Sequence, residues 1–275
     1  MIPWFETIGV VFVAFVGVVF GRLFSRLKKP YWTLGYFLPL LLILSLVIAR
    51  YNNLFTLTLP CLWLTAGRIK FVILSLTVTM GLVTVLSRLP RRLERVLVSI
   101  LITVVVIWFS ILPFVVPILV KDHLSNLRTM VDSNGICFQT TAYTCAPAAA
   151  VTALRKLGLP AQEGELAVLS HTSPFTGTLP WCLYTALQNR YRADGLECQY
   201  RIFDSTAQLK DAGVILAVVK DAFLLDHCVA IIDVSDKIIT VADPVMGRIL
   251  MPHEQFEKIW RFSGIVLKRN TTQSI

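Results

Sequence analysis

Cys145 stands out because of its neighbours. It opens an alanine-rich stretch, Cys145-Ala-Pro-Ala-Ala-Ala150, that reads as the first turn of a helix. A thiol in that place feels the positive end of the helix dipole and unpaired N–H groups, and both favour thiolate. Gln139, six residues earlier, brings an amide donor to the same loop. His227 and Asp243 follow far downstream, each at a strand terminus. An imidazole can take the thiol proton and return it to a leaving amine. A carboxylate beside it holds one tautomer, and an amide with the Cys145 N–H can stabilise an oxyanion. Nucleophile, base, orienter and oxyanion donor are then all present. Taken singly, each has a plainer reading: a small buried Cys, a structural His, an Asp-Pro turn. His171, in a loop between helices, and His253, next to Pro252, are rival bases.

These residues need elements to hold them. Thr144 reads as the N-cap of a helix over Cys145–Leu157, with Pro147 tolerable in its first turn and Gly158 as its stop. Ala148, Val151, Leu154 and Leu157 make one apolar face at helical spacing. Further helices are expected at Glu163–Ser170 and Leu179–Tyr191, with a turn-rich segment between them. The pattern then changes. Cys198–Phe203, Val214–Val219, His227–Val234, Lys237–Ala242, Arg248–Met251 and Gly264–Lys268 read as strands, and His253–Trp260 as a short helix. A hairpin from His227 to Asp243 would bring those side chains together across neighbouring antiparallel strands. Helices first and strands second, without βαβ alternation, indicate α+β.

The chain before residue 123 is of another kind. The 275 residues are 55% hydrophobic and 16% charged, with a mean hydropathy of +0.68. That is too apolar for an ordinary soluble protein of this length. The excess lies in residues 1–122, expected to be a multi-span membrane domain, with residues 123–275 a separate soluble domain. Trp4–Phe24, Tyr31–Ala49, Phe71–Leu86 and Val96–Val120 are the four expected transmembrane helices. Leu54–Ala66, short and containing Pro60, is expected to be re-entrant or interfacial. Residues 1–122 hold 12 Lys and Arg against 3 Asp and Glu, whereas residues 123–275 hold 14 of each class. The basic excess therefore belongs to the membrane part and does not mark a nucleic-acid-binding domain. Arg22, Arg26, Lys28 and Lys29 form one cluster, and Arg88, Arg91, Arg92 and Arg95 another. Four spans place both in the cytoplasm and everything after Val120 outside. The first span lacks a basic start and a small-x-small cleavage site, so it is expected to be retained. The interiors of the spans hold no acid or His that would mark an ion path.

The motifs, taken together, support a resemblance. Gln139-x5-Cys145-x-Pro-Ala-Ala, Thr172-Ser-Pro-Phe-Thr-Gly-Thr178, His227 in its apolar strand, and Asp243-Pro-Val-Met-Gly247 before His253-Glu-Gln-Phe-Glu-Lys-Ile-Trp260 resemble the bacteriocin-processing cysteine peptidases. That is family thirty-nine of the cysteine peptidases, with a papain-like fold, matched over about residues 133–268. The resemblance implies Cys145 as nucleophile, His227 as base, Asp243 as orienter and Gln139 in the oxyanion hole. It also implies a leader peptide cut after two glycines as substrate, and a separate export transporter as partner. Two departures stand out. Ala146 replaces the Gly usual after the nucleophile. The membrane part comes first, and no G-x-x-x-x-G-K-[ST] loop is present.

The expectation is an α-helical transmembrane anchor followed by an α+β papain-like cysteine peptidase domain. It would sit in the cell membrane, multi-pass and with the peptidase domain extracytoplasmic, and cleave a peptide or leader peptide through a thioester acyl-enzyme. No cofactor is expected, since no C-x2-C or other zinc spacing occurs. Cys137, Cys182, Cys198 and Cys228 are open to either disulfide pairing or the reduced state. Two alternatives keep the same domain: a peptide-binding module that does not cut, suggested by Ala146, and an acyl or peptidyl transferase.

Overall fold

The computed structural model of the chain describes residues 3–51, 69–222 and 225–270. The described residues fall into two compact units, one ending at Ile118 and the other running from Leu119. Leu54–Ala66, the expected re-entrant piece, lies outside the described residues.

The first unit is helical: α1 (Pro3–Arg26), α2 (Leu34–Tyr51), α3 (Ile69–Leu86), α4 (Arg92–Val106) and α5 (Leu112–Leu119). Glycines let α1 and α3 approach closely. A Cβ at Gly21 would lie 2.7 Å from the Met80 carbonyl oxygen, and one at Gly17 would collide with the Thr79 hydroxyl. Gly17 therefore meets the Leu76–Thr79 turn and Gly21 the Met80–Val83 turn, so the two helices run parallel. The unit is apolar outside, and hydroxyls share its interior with apolar side chains such as Val10, Val83 and Phe114. Ser75, Thr79 and Thr84 are at most 1% exposed, while Phe12, Phe15, Phe20 and Leu23 are exposed. The buried hydroxyls are satisfied locally: Thr79 Oγ1 donates to the Ser75 carbonyl at 2.6 Å and Thr84 Oγ1 to that of Met80 at 2.8 Å.

Among the described residues, α1 contains the single helix long and apolar enough to cross a membrane, Ile8–Arg26. Tyr31–Ser45 and Phe71–Leu86 are shorter apolar helices. The fourth expected span is broken. A π-helical turn at Ile107–Ile111 separates α4 from α5, and the two segments bend by 52°. Pro113 has no N–H for the carbonyl four residues back, which accounts for the break in the ladder. Counted as one bent span, this pair brings the number to two.

The second unit opens with α6 (Lys121–Ser125), β1 (Met130–Val131) and β2 (Cys137–Phe138), then α7 (Cys145–Lys156), α8 (Glu163–Leu169) and α9 (Pro180–Tyr191). Six strands follow: β3 (Leu196–Ile202), β4 (Val214–Ala222), β5 (Leu225–Val234), β6 (Ile238–Asp243), β7 (Gly247–Pro252) and β8 (Trp260–Arg269), with α10 (His253–Ile259) before the last. They form one antiparallel sheet in the order β3-β8-β4-β5-β6-β7. Side chains alternate between two cores. Leu216, Ala230, Ala242, Ile265 and Leu267 pack with α7, whereas Ile215, Ala217, Val229, Ile231 and Val241 pack with Phe256 and Trp260. Small residues on both partners set how closely α7 lies on the sheet. Ala148, Ala149 and Ala150 meet Ala230 and Ala242, all at most 1% exposed.

Every helix and strand expected in this unit is present, with ends shifted. The largest shift is at β8, which starts at Trp260 rather than Gly264. Trp260 pairs with Val219, and its ring packs against Phe203, Phe256 and Phe262 with centroids 5.0 to 5.4 Å away. Burying that aromatic cluster outweighs continuation of the short helix. The stretch 123–134, for which no element was expected, contains part of α6 and β1; a two-residue strand is too short to show a period. Ala230→Leu would put three extra carbons between α7 and the sheet. It should lower the unfolding free energy by about 1–3 kcal/mol, read from the denaturant midpoint.

Candidate active site

Cys145 begins α7 and is half-buried. Thr144 occupies the N-cap position but does not cap: no side-chain bond reaches the helix amides. Its hydroxyl turns back instead, accepting from Thr141 N at 3.1 Å and donating to Thr141 O at 3.1 Å. The expected N-cap is thereby corrected. Residues 141–144 are tied into a tight loop, and the first N–H groups of α7 keep no internal side-chain acceptor. An uncapped helix N-terminus offers donors to an anion at the sulfur's position.

The β5–β6 register pairs Ala230 with Ala242, which makes Asp243 a diagonal neighbour of His227 on the sheet. His227 Nε2 lies 3.2 Å from Asp243 Oδ1. The same oxygen accepts from Val245 N at 2.7 Å and Met246 N at 3.1 Å, so the carboxylate is held by its own turn. Gly247 closes that turn at φ 82°, where a side chain would be strained, and Phe138 lies 3.3 Å from where its Cβ would be. The Cys145 side chain is near enough to act electrostatically on the His227 ring. With Nε2 engaged by Asp243, Nδ1 is the nitrogen left for the sulfur.

Burial pushes the His227 imidazole down, but the hydrogen bonds and charges of Asp243 and Cys145 outweigh it and raise it from 6.5 to about 10. Burial pushes Asp243 up, yet the His227 bond, the Val245 and Met246 amides and the imidazolium charge bring it below its ordinary value. Burial pushes the thiols of Cys137 and Cys198 up to about 12, and that of Cys228 well above its ordinary value. Those three are inert, small hydrophobic residues in effect. Cys137, Cys145, Cys198 and Cys228 carry free thiols.

Gln139 joins the site through its backbone. Its N–H donates to the Pro244 carbonyl at 3.0 Å, so it sits beside the Asp243 turn. Its Oε1 is buried with no partner among the described residues. All four expected residues thus belong to one connected region. The rival imidazoles do not join it this way: His253 Nε2 donates to the Ser235 carbonyl at 2.9 Å, and His171 lies in the turn after α8 at φ 53°. A cleft of about 920 Å³ along β3, lined in part by Arg192, Glu197, Arg201 and Lys268, contains none of the four.

One residue escaped the sequence reading. Glu163 is fully buried at the start of α8. Its carboxylate accepts from Thr140 N at 2.8 Å and Thr140 Oγ1 at 2.5 Å, and its own N–H donates to Thr129 Oγ1 at 2.9 Å. It therefore grips the residue next to Gln139. Thr140 and Glu163 are 23 positions apart, and an acid in the first turn of a helix has a sufficient local explanation in the dipole. Its burial was the missing signal.

The His227 ring, followed by NMR, should stay protonated well past its ordinary 6.5, to about pH 10. Asp243→Asn removes a group that raises it, so the midpoint should move down; an unmoved midpoint would contradict the pairing. The stability linked to His227 is whole below pH 6.5 and is lost as pH climbs through about 10. The Asp243 contribution is present above 3.8 and is lost as pH falls through its lowered value.

With this geometry in place, the likeness to known proteins has a physical counterpart. The model of the Peptidase C39 family matches residues 133–274. The chain is 28% identical over 143 residues to an uncharacterized protein of Methanothermobacter thermautotrophicus, covering 52% of this chain and 94% of that one. A second uncharacterized protein, from Methanothermobacter marburgensis, is 28% identical over 144 residues, 52% of this chain and 95% of that one. Among solved structures, the peptidase domain of Streptococcus ComA, a bi-functional ABC transporter involved in quorum sensing, is similar with a TM-score of 0.42 and 20% identity. That match covers 52% of this chain and all of that one. A double glycine motif protease from an AMS/PCAT transporter, in complex with the leader peptide, gives a TM-score of 0.39 at 19% identity over 53% and 96% of the two chains. More than half of this chain fits the family model, so it belongs to the Peptidase C39 family and is a cysteine peptidase.

Proposed function

We propose that Cys145 is the nucleophile of a membrane-anchored peptidase that cuts a peptide through a thioester acyl-enzyme. The reading is carried by the His227–Asp243 hydrogen bond, with the Cys145 side chain acting on the same imidazole. His227 takes up the Cys145 thiol proton and faces the sulfur as the imidazolium. The sulfur attacks the scissile carbonyl, and the Gln139 amide and the Cys145 N–H donate to the oxyanion. His227 then gives its proton to the leaving nitrogen, the C–N bond breaks, and a thioester remains. Water, deprotonated by His227, attacks the thioester; the acid leaves and the thiolate–imidazolium pair returns. Asp243 holds the ring so that Nδ1 faces the sulfur throughout.

Family membership makes a leader peptide ending in two glycines the first substrate to test, with a separate export transporter as partner. The departure at Ala146 supports no rival reading. Its methyl is 4% exposed and packs in the core under α7, away from any open side.

The anchor is residues 1–122, with four spans and residues 123–275 on the outer side. Two features of the first unit favour this reading. The unit is apolar outside and hydroxyl-rich inside, the reverse of a water-soluble bundle. The basic residues at the C-terminal ends of the parallel α1 and α3 meet at one end of the pair, as the positive-inside rule requires of a cytoplasmic face.

Incubation with a double-glycine leader peptide, read by product mass, is the direct test. Cys145→Ala should abolish cleavage, and equal cleavage by that variant would sink the assignment. Gln139→Ala should lower kcat by about a hundredfold with KM little changed, the usual cost of one oxyanion donor. Glu163→Gln weakens the grip on Thr140. It should lower kcat by roughly tenfold, since a hydrogen bond to a charged group is worth about 1.5–3 kcal/mol and Gln keeps part of it. In a Gln139→Ala background the same change should add little, because both act through one loop. Fully additive losses would show that Glu163 serves stability alone.

A further inference from the structure

The C-terminal ends of α1 and α3 enclose a cavity of about 460 Å³ lined by Arg22, Ser25, Arg26, Ser87 and Arg88. Arg22 and Arg26 are four residues apart on α1, so their side chains share a face. Arg88 is fastened to the end of that helix. Its Nη2 donates to the Leu27 carbonyl at 2.9 Å and to that of Ser25, and its guanidinium lies 5.3 Å from the centroid of the Trp32 ring. Three positive charges thus converge with no carboxylate among the lining residues. Glu94, the acid in the first turn of α4, pairs instead with Arg91 at 3.8 Å. The dipole at the end of α1 supplies only about half a negative charge, so it offsets a small part of three. An anion is the missing counterpart. Forked guanidinium donors and serine hydroxyls suit a phosphate, which offers several acceptor oxygens in one place.

The surroundings choose the source of that phosphate. Phe20, Leu23 and Leu27 are exposed along α1 beside the cavity, and Tyr31 is exposed just beyond it. Lys28 and Lys29 follow directly after α1 and are exposed. A headgroup in the cavity would leave its chains against an apolar flank that water otherwise faces.

We propose that this cavity binds the phosphate of an anionic phospholipid headgroup, with the acyl chains along the exposed face of α1. The site rests on the reading of residues 1–122 as a membrane anchor.

The full chain in lipid nanodiscs made from equal parts phosphatidylglycerol and phosphatidylcholine, released and weighed by native mass spectrometry, tests it. The intact chain should retain phosphatidylglycerol in preference to phosphatidylcholine. Arg22→Gln combined with Arg26→Gln should weaken that preference by about tenfold or more, the scale expected on losing two basic contacts to an anionic headgroup. Arg88 is left in place because it ties two helices together. Should the double Gln variant fail to fold, Arg22→Lys with Arg26→Lys keeps the charge but not the fork, and a several-fold loss is expected there. Equal retention of both lipids, or a preference unchanged in the variants, overturns the site. Displacement of the lipid by millimolar inorganic phosphate assigns the cavity to a soluble anion and overturns the lipid. Flotation with phosphatidylcholine vesicles separates the two ideas: a chain that stays with neutral vesicles but shows no headgroup preference loses this site and keeps its anchor.

Discussion

His227 and Asp243 meet because β5 and β6 pair in one register, and that pairing governs the rest of the site. A slip of one residue would turn one side chain to the opposite face of the sheet and separate them. The register is held by what each face buries. Ala230 and Ala242 must face α7, while Ile231 and Val241 must face the aromatic core around Trp260. Exchanging them would put branched side chains where α7 lies close and leave a void on the other face. The position of the imidazole is thus secured by hydrophobic packing several residues away, and the hydrogen bond reports it.

The same economy appears around Cys145, the proposed nucleophile. The alanines of α7 bring that helix close to the sheet, so that its first turn lies within reach of His227. Thr144 leaves the helix amides without a side-chain cap and spends its hydroxyl on Thr141 instead. Capping by Thr144 would add roughly 0.5–2 kcal/mol to the helix but would occupy donors that an oxyanion needs. Gln139 and Thr140 are then held from two directions, by Pro244 and by the buried carboxylate of Glu163. The loop carrying the amide is as firmly positioned as the residues it serves. The acyl-enzyme chemistry proposed for this papain-like domain requires that firmness, since an oxyanion donor acts through placement.

The first unit follows another solvent logic. Its hydroxyls bond to carbonyls within their own helices, and glycines at positions 17 and 21 allow helix backbones to touch. Such packing depends on close contact more than on burial of apolar surface, because the apolar surface is left outside. The arginine-lined cavity at its end gathers like charges, and an outside partner of opposite charge has much to offer there.

Much of this could be read from residue order. The strand-and-helix order of residues 123–275 was legible because each element carries its own period: 3.6 in Ala148, Val151 and Leu154, and near-continuous apolar runs in strands buried on both faces. Cys145, His227, Asp243 and Gln139 could be singled out as candidates because a thiol at a helix start and a histidine one hairpin before an Asp-Pro turn have few other joint explanations. What tertiary structure alone decided were relations between distant residues with no local signature. Glu163 needed burial against Thr140, 23 positions away, to show its part. Thr144 has the right type and place for a cap, and a nearby loop outbid the helix for its hydroxyl. The fourth apolar stretch kept its composition but lost its straightness at the π-helical turn before Pro113. Arg22, Arg26 and Arg88 are two clusters in the chain and become one cavity in space, because helix packing, and not sequence distance, sets which charges must face each other.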